Sequence, residues 1–126
     1  MRDLSTAILT GVRAAVTPVT VEPYRPETFS LPFIWVRHPS TNVGPYPQYD
    51  VFKGGLLIID IWDYSWVDVE ALEKKLAYLD GHTVLSSGDA RNIRYQKEAA
   101  NPLDEPDACH LSLTYSVQFA DMRVYG

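Results

Sequence analysis

The sequence predicts an α+β domain in which an antiparallel or mixed β-sheet carries two α-helices packed on one face. Residues 56–61 form an apolar run with Asp60 as its only charge, and their β-branched content favours a strand. Helical spacing of apolar residues follows between Val69 and Leu79. From His110 to Phe119 apolar and polar residues alternate, which indicates a strand with one face on the core and the other toward water or a partner.

The helix that follows the apolar run has recognisable signals at both ends. Ser65 is a good N-cap with Asp68 three residues later, and Glu70 lies four residues before Lys74. Gly81 stands where a helix commonly ends in the left-handed conformation. Because the turn between strand and helix is short, we expect the helix to fold back on its own sheet.

A second helix is predicted at the amino terminus. Its apolar face would carry Leu4, Ile8, Val12 and Ala15. Asp3 is a plausible cap, and Pro18 ends the helix soon after Val16. Gly11 within it costs about 1 kcal/mol relative to alanine, which predicts that another segment approaches closely there.

The other elements have weaker signals. Shorter strands are predicted at residues 19–22, 33–38, 82–85 and 92–98. Residues 39–50 contain three prolines, a glycine and two tyrosines and are expected to form a long loop. Such a loop is uncommon in a compact domain unless it has a function. Residues 99–108 are expected to form a polar, acidic loop.

Size and composition predict one globular domain, residues 1–126. Hydrophobic residues make up 46% of the chain, charged residues make up 21%, and the net charge is −5 with no block of like charge. We therefore expect no sequence-specific nucleic-acid binding by phosphate neutralisation. Cys109 is the only cysteine, which excludes an intrachain disulfide and suits reducing cytoplasm. No apolar run has the length of a membrane span, so no membrane association is expected.

Motifs for chemistry are not evident in the sequence. It contains no Gly-rich phosphate loop, HExxH, CxxC or GxSxG motif. The histidines, His38, His82 and His110, are far apart and are expected to be surface or strand-edge residues. Cys109 is adjacent to His110, but neighbouring residues on a strand point to opposite faces. We therefore expect no catalytic residues, no cofactor site and no enzyme.

Two acidic groups have the residue types of a metal site, but their positions do not favour one. Asp60 and Asp63 lie near the end of a predicted strand, and Asp104, Glu105 and Asp107 lie in a solvated loop. No metal site is therefore expected.

Aromatic residues indicate contacts with other proteins. The long loop supplies the first candidates for an interface: Tyr46, Tyr49, Asp50 and Phe52. The acidic loop supplies the second group: Asp104, Glu105 and Asp107. Tyrosine carries much of the energy in protein interfaces. For Trp35, Trp62 and Trp66, core and interface positions are equally compatible with the sequence.

The order of segments resembles that of the tail-terminator, or tail-completion, proteins of long-tailed bacteriophages. The resemblance runs from residue 4 to residue 121 and rests on the segments LTGVRAAV, FIWVRH, GGLLIIDIWDYSW, VEALEKKLAYLDG, NIRYQKE and HLSLTYSVQFAD. The proline-rich segment 39–50 departs from the pattern of that family.

This resemblance implies a virion structural protein made in the cytoplasm of a host bacterium. Such proteins form a ring, usually of six subunits, at the head–tail junction. The ring caps the tail tube, stops its polymerisation and offers a surface to the head. The implied partners are further copies of the chain, the tail tube protein and a head-completion or connector protein. DNA would pass through the lumen, where net negative charge would repel it.

Two alternatives stay open at this stage. One is a different neck or head-completion protein, because small proteins of this kind share α+β outlines. The other is a small-ligand-binding protein or enzyme with a cleft beside the sheet, in which His110, Cys109 and Asp60 would be the polar groups.

Overall fold

The computed structural model describes residues 2–37, 42–43, 52–87 and 90–121. The helices are α1, Arg2–Val16, and α2, Trp66–Lys75, and a 3₁₀ turn follows at Ala77–Leu79. The strands are β1, Thr20–Glu22; β2, Phe33–Arg37; β3, Asn42–Val43; β4, Phe52–Asp63; β5, Thr83–Ser87; β6, Ala90–Leu103; and β7, Cys109–Asp121.

The strands form one mixed sheet in the order β1-β2-β4-β7-β6-β5, with β3 paired to β4 off this path. Only β1 and β2 are parallel; every other described pair is antiparallel. The sheet curls into a half-barrel. The predicted α+β class, with a mixed sheet and two helices, is confirmed.

One face of the sheet and both helices enclose a single hydrophobic core. The alternating residues of β7 contribute Leu111, Leu113, Tyr115, Val117 and Phe119, all of them buried as the sequence predicts. Ile8, Val12 and Val16 of α1 and Val69 and Leu72 of α2 pack in the same cluster. Burial also raises the pKa of the Tyr115 hydroxyl to about 12, with smaller contributions from nearby acidic groups.

The signals at the ends of α2 are confirmed in atomic detail. The Ser65 side chain accepts a hydrogen bond from the backbone N–H of Asp68. Gly81 adopts a φ of 84°, the left-handed conformation that glycine favours. The α-helix itself ends earlier than the apolar spacing suggests, since the chain continues as the 3₁₀ turn before Gly81.

Two boundary predictions are wrong. Asp3 lies inside α1, which already begins at Arg2, and therefore is not its cap. The predicted loop at residues 99–108 shrinks to 104–108, because β6 continues to Leu103 and pairs with β7 up to His110. Pairing with a long neighbouring strand overrides the weak strand propensity of these residues.

The glycine within α1 marks a close approach, as predicted. A Cβ atom added to Gly11 would lie 3.1 Å from the Tyr78 hydroxyl oxygen. This contact brings the end of the second helical segment against the first.

We expect Gly11→Ala to raise the free energy of unfolding by about 0.5–1 kcal/mol, because alanine is the better helix former. The atom in its way is the end of a Tyr78 side chain that is 42% exposed and has room to shift. Gly11→Leu should instead lower the free energy by about 1–2 kcal/mol, since its larger side chain overlaps the tyrosine. Urea denaturation measures both changes, and a destabilising alanine would show that Tyr78 is held rigidly.

Candidate functional site

Polar residues gather on the second face of the sheet, where β4 ends and β7 begins. Along β4, Ile59 and Ile61 point into the core, so Asp60 and Trp62 point to the other face. Strand pairing places His110 of β7 directly opposite Trp62. These positions follow from the two-residue period of the strands together with their register.

Asp60 is the centre of the group and is only 3% exposed. Its Oδ2 accepts a hydrogen bond from Arg37 Nη2 at 2.8 Å, and its Oδ1 lies 2.8 Å from His110 Nε2. A buried carboxylate is costly unless it is paired and hydrogen-bonded, and here each oxygen has a partner.

Glu105 connects the loop 104–108 to this group. Its Oε1 accepts a hydrogen bond from Trp62 Nε1 at 3.2 Å and lies 3.0 Å from His110 Nδ1. The Trp62 hydrogen bond lowers the pKa of the Glu105 carboxyl; partial burial opposes this change, and His110 and Arg25 add to it. The imidazole therefore lies between two carboxyl groups, one on the sheet and one on the loop.

Aromatic rings cover the group from the side. Trp62 stacks on the His110 ring with centroids 4.1 Å apart and an angle of 24° between the planes. Phe29 lies against Trp62, and the Arg25 guanidinium is 5.5 Å from the centroid of each of these two rings. These contacts leave His110 only 7% exposed.

The residues of the predicted ligand or enzyme cleft are only partly brought together. Asp60 and His110 are in contact, but Cys109 packs against the hydrophobic core on the opposite face. A histidine oriented by an aspartate acts as a general base through its second nitrogen. In His110 that nitrogen faces Glu105 instead of a nucleophile.

Among the residues described here, no group of three His, Cys, Asp or Glu is arranged to hold a metal ion.

The expectation that His110 is a surface or strand-edge residue is wrong, because Asp60 and Glu105 provide partners for a buried imidazole. The sequence did contain a signal for this site. A single aspartate within an apolar strand needs a partner if its face is covered.

The interface candidates divide into three groups. Tyr46, Tyr49 and Asp50 lie outside the described residues. Phe52 is the first residue of β4, but its side chain is not among the parts of the chain that the structure describes. Asp104 and Asp107 are exposed on their loop, as predicted. Glu105 is exposed as well, but its side chain, which is 32% exposed, is bonded to the sheet.

The tryptophans occupy different environments. Trp62 is buried, Trp35 is half-buried beneath the Arg37 guanidinium, and Trp66 is 43% exposed at the start of α2. Sequence reasoning did not single out several other exposed apolar residues, of which Val67 beside Trp66 and Leu85 on β5 are the most exposed. Val67 lies off the apolar face of α2 that carries Val69 and Leu72, whereas no local pattern distinguishes Leu85 from a core residue.

Among the described helices, none is both long and apolar enough to cross a membrane.

Comparison with known proteins gives one finding on the fold. No protein-family model matches the sequence, and no curated protein matches it. Among solved structures, the chain is similar to one from the virion of the native gene transfer agent particle. The TM-score is 0.57 at 14% sequence identity, with 86% of this chain and 84% of that chain covered. At this identity the likeness shows a shared fold.

We expect Asp60→Asn to lower the free energy of unfolding by about 2–4 kcal/mol. Asparagine has an NH₂ group in place of one carboxylate oxygen, so it loses the negative charge and one of the two oxygens that face Arg37 and His110. Asp107→Asn removes the same charge from an exposed position and should stay within about 0.5 kcal/mol of the natural chain. Chemical denaturation compares the two, and equal stabilities would show that the buried carboxylate is dispensable.

The lowered pKa of Glu105 predicts a dependence of stability on acid. Because the folded chain favours the ionised form, the contribution of Glu105 is present above the ordinary glutamate pKa and is lost as pH falls through the lowered value. The stability advantage of the natural chain over Glu105→Gln should therefore shrink between about pH 5 and pH 3. Denaturation of both proteins at several pH values measures this, and a constant difference would contradict it.

Proposed function

We propose that this chain is a structural protein of a long-tailed bacteriophage virion and that six copies of it form a ring at the head–tail junction. The ring would cap the tail tube, end its polymerisation and offer a surface to the head. The observation that carries this proposal is the fold shared with a chain of the gene transfer agent virion over 86% of the sequence. The tail-terminator position rests on the resemblance of the sequence segments.

The two edges of the sheet differ in a way that supports assembly through β5. The edge strand β1 is short, Arg13 Nε donates a hydrogen bond to its Val21 carbonyl, and Glu22 adds a charge. Short strands, charges and covering groups protect an edge from pairing with other chains. The opposite edge, β5, has the sequence TVLSS without charge or proline, and Leu85 is 82% exposed. An edge of this kind favours contact with another chain.

A surface that suits Leu85 lies beside β1, at the other edge of the sheet. It is a cavity of about 300 Å³ lined mostly by apolar groups of residues 18–20 and 30–32. Insertion of Leu85 from one copy into this cavity of the next would be a heterologous contact. Such contacts generate a closed ring when the rotation between copies allows it.

We expect Leu85→Lys to abolish the ring while leaving the chain folded, because a lysine on the β5 edge opposes both strand pairing and apolar insertion. Light scattering on the natural chain should give a mass near six times 14.2 kDa, and on Leu85→Lys a mass near 14.2 kDa. If the ring forms only on the tail tube, the same comparison is made by binding to purified tube ends.

Leu56→Lys is the matched control, since Leu56 is also exposed but lies on β4 in the interior of the sheet. It should form rings as the natural chain does. Ser30→Trp, which fills the mouth of the cavity, should prevent rings as Leu85→Lys does. A dimer would indicate two β5 edges in contact and would contradict the ring. A natural chain that stays monomeric and fails to bind tube ends would contradict the function.

A further inference from the structure

We infer that the exposed apolar residues at the start of α2 form a docking surface for a basic segment of another protein. This surface, the α2-start patch, consists of Tyr64, Trp66 and Val67. The inference follows from exposure and charge around the start of α2 and does not depend on the proposed function.

The α2-start patch brings three large apolar side chains to the surface within four residues. Tyr64 is 72% exposed, Val67 is 76% exposed, and Trp66 between them is also exposed. The contribution of α2 to the core comes from other positions, Val69 and Leu72. Exposed apolar residues that stand singly are ordinary, whereas adjacent ones mark interaction sites. Tyrosine and tryptophan are also the residue types that are enriched in protein interfaces.

The backbone beneath the patch is held in place without a partner. Asp63 Oδ1 accepts a hydrogen bond from the backbone N–H of Tyr64 at 2.7 Å, and the Ser65 side chain caps α2. Asp63 is itself paired with Cys109 of β7 in the sheet. A surface that is already ordered loses little conformational entropy when it binds.

Exposed acidic residues lie on two sides of the patch. Asp68 and Glu70 belong to the first turns of α2, directly after Val67. Asp104 and Asp107 belong to the loop 104–108, which leads into β7 beside the end of β4. Among the ion pairs between described residues, none includes any of these four acids. Their charges are therefore available to a partner.

The described cations of this region lie farther away or are already engaged. Arg25 lies against the rings of Phe29 and Trp62. Lys74 and Lys75 are in the last turn of α2, about 12 Å or more from Trp66 along the helix axis. The patch is therefore an apolar surface in negative surroundings. An arginine or lysine on the partner would meet these acids and could also lie over the face of an exposed ring.

Charge also argues against other occupants of the patch. A second copy of the chain carries the same acids and a net charge of −5. Nucleic acids and anionic membrane surfaces would be repelled in the same way. The patch adjoins β4 and β7, which are interior strands, whereas the edges of the sheet are β1 and β5. A partner on the patch would therefore leave both edges free.

Two synthetic peptides probe the docking surface. Both are amphipathic, with leucine on one helical face, and carry either arginine or glutamate at every other position. We expect the arginine peptide to bind the natural chain in titration calorimetry and to change its tryptophan fluorescence, while the glutamate peptide does neither. Trp66→Phe should abolish most of the fluorescence change, because Trp35 is half-buried and Trp62 is buried.

Matched variants locate the bound peptide. Tyr64→Ser combined with Val67→Ser should weaken binding of the arginine peptide about tenfold, since two exposed contact side chains are lost. Leu85→Ser removes an exposed apolar side chain from β5 and should leave the affinity within about twofold. Asp107→Asn should weaken binding and reduce its dependence on salt, whereas Glu22→Gln, which removes the same charge beside β1, should not.

Equal affinity for the two peptides, or no binding of the arginine peptide, would overturn the inference. Binding that the combined Tyr64→Ser and Val67→Ser variant leaves unchanged would overturn it as well. Light scattering separates docking from self-association, because this variant should have the same mass as the natural chain. A lower mass would assign the patch to contacts between copies and would overturn the basic partner, whereas failure of the natural chain to form rings bears only on the proposed function.

Discussion

The second face of the sheet depends on one buried charge in its central part. Asp60 lies on β4, whose neighbours along the sheet are β2 and β7. Its two oxygens contact Arg37 on β2 and His110 on β7, so a single carboxylate connects three strands. A one-residue slip of any strand would move its side chain to the opposite face. The carboxylate therefore penalises wrong registers, in addition to any contribution it makes to stability.

The two faces of the sheet are closed by different physical means. Apolar side chains of the helices cover one face, which needs only complementary shape and hydrophobicity. At the site, the other face is covered by the Arg37–Asp60 ion pair, the hydrogen bonds of His110 and stacked rings, which depend on precise distances and orientations. Acid that protonates Glu105 acts on the second face, to which the loop 104–108 is attached through this residue.

Features that depend on a few neighbouring residues could be predicted from the sequence. The Ser65 cap, the left-handed Gly81 and the alternation of β7 each follow from local geometry. The charge network could not, because Arg37 and His110 are 23 and 50 residues from Asp60 in sequence. Only the register of β2, β4 and β7 brings them together, and a single sequence does not specify that register. The position at which β6 ends could not be predicted for a similar reason, since its last residues are part of a strand only because they pair with β7.

Asymmetry between the sheet edges bears on how copies of this chain would associate. A contact of β5 with β5 is two-fold and ends at a dimer, in which the cavity beside β1 stays empty. A contact of β5 with the β1 side uses two different surfaces of each copy and continues until it closes. Only the second arrangement would fill the apolar cavity with the exposed Leu85, and it is the arrangement that the proposed ring requires.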